Sequence, residues 1–119
     1  MRKPVIILMA ILLAACGVTP GLGRTIDITL TEWSITPFTV KDGETVTFNV
    51  TNEGNIIHEF KLTKPEDHHN HDHDSDHISA ILAPGETMIF TITIDGYTQA
   101  ACLLPGHYEA GMYTDIIHN

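Results

Sequence analysis

Three stretches of this chain alternate apolar and polar side chains with a period of two, a rhythm that rules out helical packing for most of its length. Ile26, Ile28 and Leu30 alternate with Asp27, Thr29 and Thr31. Val46, Phe48 and Val50 alternate with Thr45, Thr47, Asn49 and Thr51, and Met88, Phe90, Ile92 and Ile94 with Thr87, Ile89, Thr91 and Thr93. Side chains two apart share one face of a strand, so each segment buries one face and wets the other. Asp42-Gly43, Asn52-Glu53-Gly54, Pro84-Gly85 and Asp95-Gly96 punctuate the strands as turns. Neither a long helical period nor an internal repeat is present. The expected fold is all-β, an antiparallel sandwich or barrel.

Near the carboxy terminus the chain gathers three metal-binding side chains at equal spacing, Cys102, His107 and Met112, as Cys-x4-His-x4-Met. Thiolate and thioether select copper, particularly Cu(I), while imidazole suits both oxidation states. Two nitrogens and a thiolate, with a long axial thioether bond, describe a blue-copper centre. The loop lacks only one nitrogen, and His58 is the candidate to supply it. In a strand through this region Ile56, His58 and Phe60 share one face, with Ile57 and Glu59 on the other, so His58 points toward the core or its rim. Pro105 fixes one backbone angle before His107 and Gly106 relaxes another. Structural zinc accounts less well for these residues, because a weak thioether is a poor fourth zinc ligand. A Cys–His nucleophilic pair leaves Met112 without a role, and no enzymatic activity is expected.

With these residues the chain resembles the cupredoxins. Pro105-Gly106-His107-Tyr108-Glu109-Ala110-Gly111-Met112 is similar to the ligand loop of envelope cupredoxins, with a spacing like that of the rusticyanins. Pro37, Gly43-Glu44-Thr45-Val46-Thr47-Phe48, and Asn52 ahead of His58-Glu59-Phe60 resemble the amino-terminal half of the same fold. The resemblance implies a Greek-key β-sandwich over residues 25–119 and one type 1 copper held by His58, Cys102, His107 and Met112. It also implies an apolar docking surface near His107 for a redox partner such as a cytochrome or a copper-handling protein. A dinuclear copper centre would need a second cysteine where Gly106 stands. A multicopper oxidase would flank the cysteine with histidines, where this chain has Ala101 and Leu103. One departure stands out: many family members carry asparagine after the first histidine, tying the ligand segments together, and this chain has Glu59.

At the other end, basic Arg2 and Lys3 precede an apolar run from Val5 to Leu13 and then Leu13-Ala14-Ala15-Cys16, the parts of a secretory signal. The run is too short to span a bilayer comfortably. Leu-Ala-Ala-Cys resembles a bacterial lipobox, which makes Cys16 the lipidated first residue after a signal at 1–15, with 16–24 as linker. Several acyl chains would hold the protein durably on a membrane. The expected address is the cell envelope, facing the periplasm or the exterior, with the outer membrane favoured by analogy because Gly17 is not an aspartate retention signal. Cleavage takes the net charge from −9 to −11 and leaves 104 residues, enough for one domain. That acidity excludes nucleic acid as a partner. A monomer is expected. Cys102 then becomes the one remaining thiol, and an unpaired thiol in an oxidising compartment fits metal ligation.

Between His58 and Pro84 runs an insertion, residues 66–77, in which His68, His69, His71, His73 and His77 interleave with aspartates. This composition cannot pack a core, and its imidazoles and carboxylates suit weak, unselective binding of further copper, zinc or nickel. Capture there should fail in acid, because the ligands must be deprotonated. His118 is expected to be a solvated terminal residue and not a ligand. Two roles are consistent with this pattern, the first being the expected one and the second the alternative. One is a one-electron carrier cycling Cu(I) and Cu(II). The other is copper sequestration or delivery in homeostasis or tolerance, with the insertion collecting metal.

Overall fold

The computed structural model describes residues 23–65 and 78–119. The signal at 1–15, Cys16 and the insertion 66–77, with His68, His69, His71, His73 and His77, lie outside the described residues. Among the described residues ten strands form: β1 (Thr25–Thr31), β2 (Ser34–Ile35), β3 (Thr39–Val40), β4 (Thr45–Asn52), β5 (His58–Thr63), β6 (Ser79–Leu82), β7 (Thr87–Thr93), β8 (Gln99–Ala101), β9 (Tyr113–Asp115) and β10 (Ile117–His118). They build one four-stranded sheet in the order β2-β1-β4-β7, a second in the order β6-β5-β8-β9, and a small β10-β3 pair. The chain changes sheet between β4 and β5, β6 and β7, and β7 and β8, the crossovers of a β-sandwich. Among the described residues no helix is long and apolar enough to cross a membrane.

Period-two alternation becomes burial in the central strands. Ile26, Ile28, Leu30, Val46, Phe48 and Val50 are all buried. Phe48 is the hub of an aromatic core, with ring centroids 5.2 Å from Phe38, 5.3 Å from Phe60 and 5.6 Å from Phe90. On the outer face, hydroxyl pairs Thr45–Thr93 and Thr47–Thr91 bridge β4 to β7 at 2.8 Å.

Two expectations need adjusting. The pairing is not antiparallel throughout, since β1 runs parallel to β4 and β10 parallel to β3. Alternation is blind to strand direction. Here the chain passes through β2 and β3 after β1 and re-enters the first sheet from the end at which β1 began. In β7 the inward residues are less covered than their pattern suggested, with Met88 still 40% exposed. Among the described residues β7 is an edge strand bonded only to β4, with fewer neighbours to cover its inward side chains.

Arg24 fastens the start of β1. Its guanidinium donates to both Glu44 oxygens, at 2.6 and 3.3 Å, and to the Thr39 carbonyl. The bond from Arg24, followed by that from the Lys41 N–H, pulls the Glu44 carboxyl down to about 2. A carboxyl depressed in the folded state stabilises the fold fully above its free value, and that contribution fades as pH falls toward the folded value. Arg24→Met should therefore lose stability relative to the parent at neutral pH, and the gap should close between about pH 4.5 and 2. Urea midpoints across that window measure it. The effect should be small because the pair is solvent-accessible.

Candidate metal centre

His58 opens β5, and the turn before it is held by Asn52 at the end of β4. The Asn52 side chain is fully buried. Its Nδ2 donates to the carbonyls of Ile56 and Leu82, each at 2.8 Å, and its Oδ1 accepts the Gly54 N–H at 2.8 Å. A buried amide satisfied on both sides specifies a single path for the chain. That path keeps Ile56 out of the strand and 41% exposed, contrary to the expectation that it shares the inward face of His58 and Phe60. Those two are fully buried as expected.

Two successive turns explain the equal spacing of the carboxy-terminal loop. Leu104 to His107 form the first, closed by the His107 N–H on the Leu104 carbonyl at 3.0 Å. Pro105 takes its second position and Gly106, at φ +83°, its third, which are the residues a type II turn demands. In the second turn the Met112 N–H reaches the His107 carbonyl at 3.1 Å and the Gly111 N–H that of Tyr108 at 2.9 Å. This is the Schellman pattern, with left-handed Gly111 at φ +101°. The Cys102 N–H then closes onto the Met112 carbonyl at 3.0 Å. One turn returns His107 to Cys102, and the next returns Met112 to both.

The ligand atoms of His58, Cys102 and His107 all lie within 4.8 Å of one another. His107 Nδ1 stands 3.3 Å from His58 Nδ1 and 3.3 Å from Cys102 Sγ, so the two imidazoles meet through the same ring nitrogen and His107 turns its own to the sulfur. His58, Cys102 and Met112 are fully buried, while His107 sits at the rim. Burial pushes the Cys102 thiol up, opposed by the N–H groups of Glu59 and Leu104. A metal binding here must displace that proton. Two nitrogens and a sulfur converging in a buried pocket fit copper, and Met112, buried and bonded through its backbone to Cys102 and His107, is the residue on this loop with a second soft donor to offer.

Glu59 makes the tie that asparagine makes elsewhere. Its Oε1 accepts the Leu103 N–H at 3.1 Å, its Oε2 accepts the Ser79 hydroxyl, and its own N–H points at Cys102 Sγ at 3.3 Å. His118, in β10, is exposed, its Nε2 is 2.8 Å from the Tyr97 carbonyl, and it is not among the clustered ligand atoms.

Sequence reasoning missed Glu32 and Trp33, the corner between β1 and β2. His58 Nε2 donates to Glu32 Oε1 at 2.8 Å, and the same oxygen accepts the N–H groups of Asn55 and Ile56 at 2.8 and 3.2 Å. The bond from His58 holds the Glu32 carboxyl below the usual range, outweighing partial desolvation, and the two backbone donors add to the downward pull. Trp33 packs edge-on against His107, ring centroids 4.9 Å apart. A lone tryptophan beside an acid where the β1 alternation stops was the only available signal.

The family of copper binding proteins described as plastocyanin/azurin matches residues 23–119. The copper-resistant cuproprotein CopI of Rubrivivax gelatinosus is 36% identical over 91 residues, covering 66% of this chain and 54% of that protein. The chain thus spans about half the length of that relative. The protein of the same name from Pseudomonas aeruginosa is 30% identical over 131 residues, covering 75% of this chain and 72% of its own length. Among solved structures, auracyanin A, a blue copper protein of Chloroflexus aurantiacus, superposes with a TM-score of 0.64 at 27% identity. It covers 82% of this chain and all of the auracyanin chain.

Proposed function

Because the chain belongs to the plastocyanin/azurin family of copper-binding proteins, we propose that it serves copper tolerance in the cell envelope through one type 1 copper. His58, Cys102, His107 and Met112 would hold the ion. The observation that carries this reading is the convergence of His58, Cys102 and His107 within 4.8 Å in a mostly buried setting. Its tolerance role draws on the copper-resistance relatives, at 30–36% identity.

Copper would supply a one-electron couple between Cu(I) and Cu(II). The chain's own part is to hold the donors still. Asn52, the two turns of the ligand loop and the Glu59 tie fix their geometry before any metal arrives, so little has to move when an electron is gained or lost. Cys102 and Met112 favour the soft Cu(I) ion, and the two histidines keep Cu(II) acceptable. His107 is the route outward. Trp33, Ile56, Ile57 and Leu103 are each more than 40% exposed on the segments that carry or touch the ligands, an apolar collar for a cytochrome or another copper-handling protein. That placement favours a second reading, a dedicated electron carrier. In both readings Cys16 carries a lipid anchor, the chain is a monomer without enzymatic turnover, and the insertion 66–77 collects loosely held metal for the buried site.

Titration with Cu(II), followed by visible and electron paramagnetic resonance spectroscopy, tests the centre directly. One equivalent should produce an intense thiolate-to-copper band. Deleting residues 66–77 should lower total metal stoichiometry and leave that band unchanged; a band lost with the insertion would move the principal site there. Loss of the gene with copper sensitivity and intact respiration would favour tolerance, whereas the reverse would favour the carrier.

A further inference from the structure

We propose that Glu32 is a positioning residue of the copper site, fixing the His58 ring with Nδ1 inward and biasing the centre toward Cu(II). This inference rests on the copper-site reading above and goes beyond the ligand set. A histidine ligand needs its other ring nitrogen occupied, and the group found there sets both the tautomer and the donor strength. Here the group is a full carboxylate. With Nε2 donating its proton to Glu32 Oε1 at 2.8 Å, the lone pair of His58 falls on Nδ1, the atom that faces His107 and Cys102.

Three features mark this contact as built and not incidental. Glu32 Oε1 gathers the Nε2–H of His58 together with the N–H groups of Asn55 and Ile56, so the carboxylate is held independently of the ring. Gly54 lies against the pair: a Cβ there would come within 2.3 Å of Glu32 Oε1 and 2.8 Å of His58 Nε2. Only a residue without a side chain leaves room for both. Finally, Trp33 covers the edge of His107, so a single two-residue corner braces both imidazoles.

The charge has a direction. A negative carboxylate one ring away from the metal favours the more highly charged ion, so Cu(II) gains relative to Cu(I). Glu32→Gln keeps an acceptor for Nε2–H and removes the charge. Glu32→Ala removes both. In the apo protein, nitrogen NMR of the His58 ring should show one tautomer in the parent and in Glu32→Gln, and a mixture in Glu32→Ala. In the copper-loaded protein, Glu32→Gln should lower the ratio of Cu(II) to Cu(I) affinity about tenfold, the scale of a lost outer contact. For one electron this raises the reduction potential by about 59 mV. The visible band should persist in both variants, since no ligand is touched.

An unchanged His58 tautomer in Glu32→Ala overturns the positioning role. An affinity ratio within twofold of the parent in Glu32→Gln overturns the electronic one. If the parent itself shows no thiolate band, the copper-site reading fails, and the apo tautomer measurement still decides for or against Glu32 as the residue that orients His58.

Discussion

Copper(II)-loaded Cys102→Ser should be colourless where the parent absorbs intensely, and its affinity for Cu(I) should fall by at least ~100-fold. The absorption comes from charge moving out of a thiolate, and a serine alcohol neither ionises near neutral pH nor offers a soft donor. Losing a merely supporting contact costs about 10–100-fold in metal affinity, and losing the strongest ligand itself must exceed that. The fold should survive. Sγ accepts the Glu59 N–H at 3.3 Å in a buried pocket, and a hydroxyl can still accept there, so the penalty stays near that of one weakened hydrogen bond, about 1 kcal/mol. Spectral titration paired with a melting curve separates the two effects. A Cys102→Ser protein that stays coloured, or binds Cu(I) as the parent does, would remove the thiolate from the centre.

The limits of the sequence follow from what its patterns encode. Alternation reports which side chains face inward, and it placed the strands and the core of β1 and β4 because those strands are covered by neighbours on both sides. It carries no information on direction, so the parallel β1–β4 pair went unread. Nor does it report edges, which is why Met88 was expected inside. In the ligand loop, Pro105, Gly106 and Gly111 encode their turns locally, so the approach of His107 to Cys102 was legible from spacing. His58 required a non-local inference, drawn because donor chemistry demanded one more nitrogen, and its Nδ1 lies 3.3 Å from that of His107. Glu32 and Trp33 had no such demand behind them. The contact of Glu32 spans 26 residues to His58, that of Trp33 reaches His107, and neither periodicity nor composition singles out an acid at the end of a strand.

Phe48→Ala tests the other foundation, the core on which both ligand segments rest. Phe48 is fully buried and touches the rings of Phe38, Phe60 and Phe90. Truncating such a side chain costs about 3–5 kcal/mol, against a total of roughly 5–15 kcal/mol for a domain. At about 4–8 °C per kcal/mol for a chain of this size, the apo melting temperature should drop by roughly 12–40 °C. Copper works against that loss, because binding only to the folded state adds about 4 kcal/mol when free metal reaches ~1,000 times the dissociation constant. β4 supplies no ligand, so the copper-induced rise should be nearly the same free energy in Phe48→Ala as in the parent. Phe60 is the contrasting case. It lies two residues from His58 on β5, so Phe60→Ala should lose stability and also part of the copper increment. Melting of the four apo and loaded variant proteins beside the parent reads both effects. Equal copper increments in all three would uncouple the ligand strand from the core, and the pre-formed site would lose its structural support.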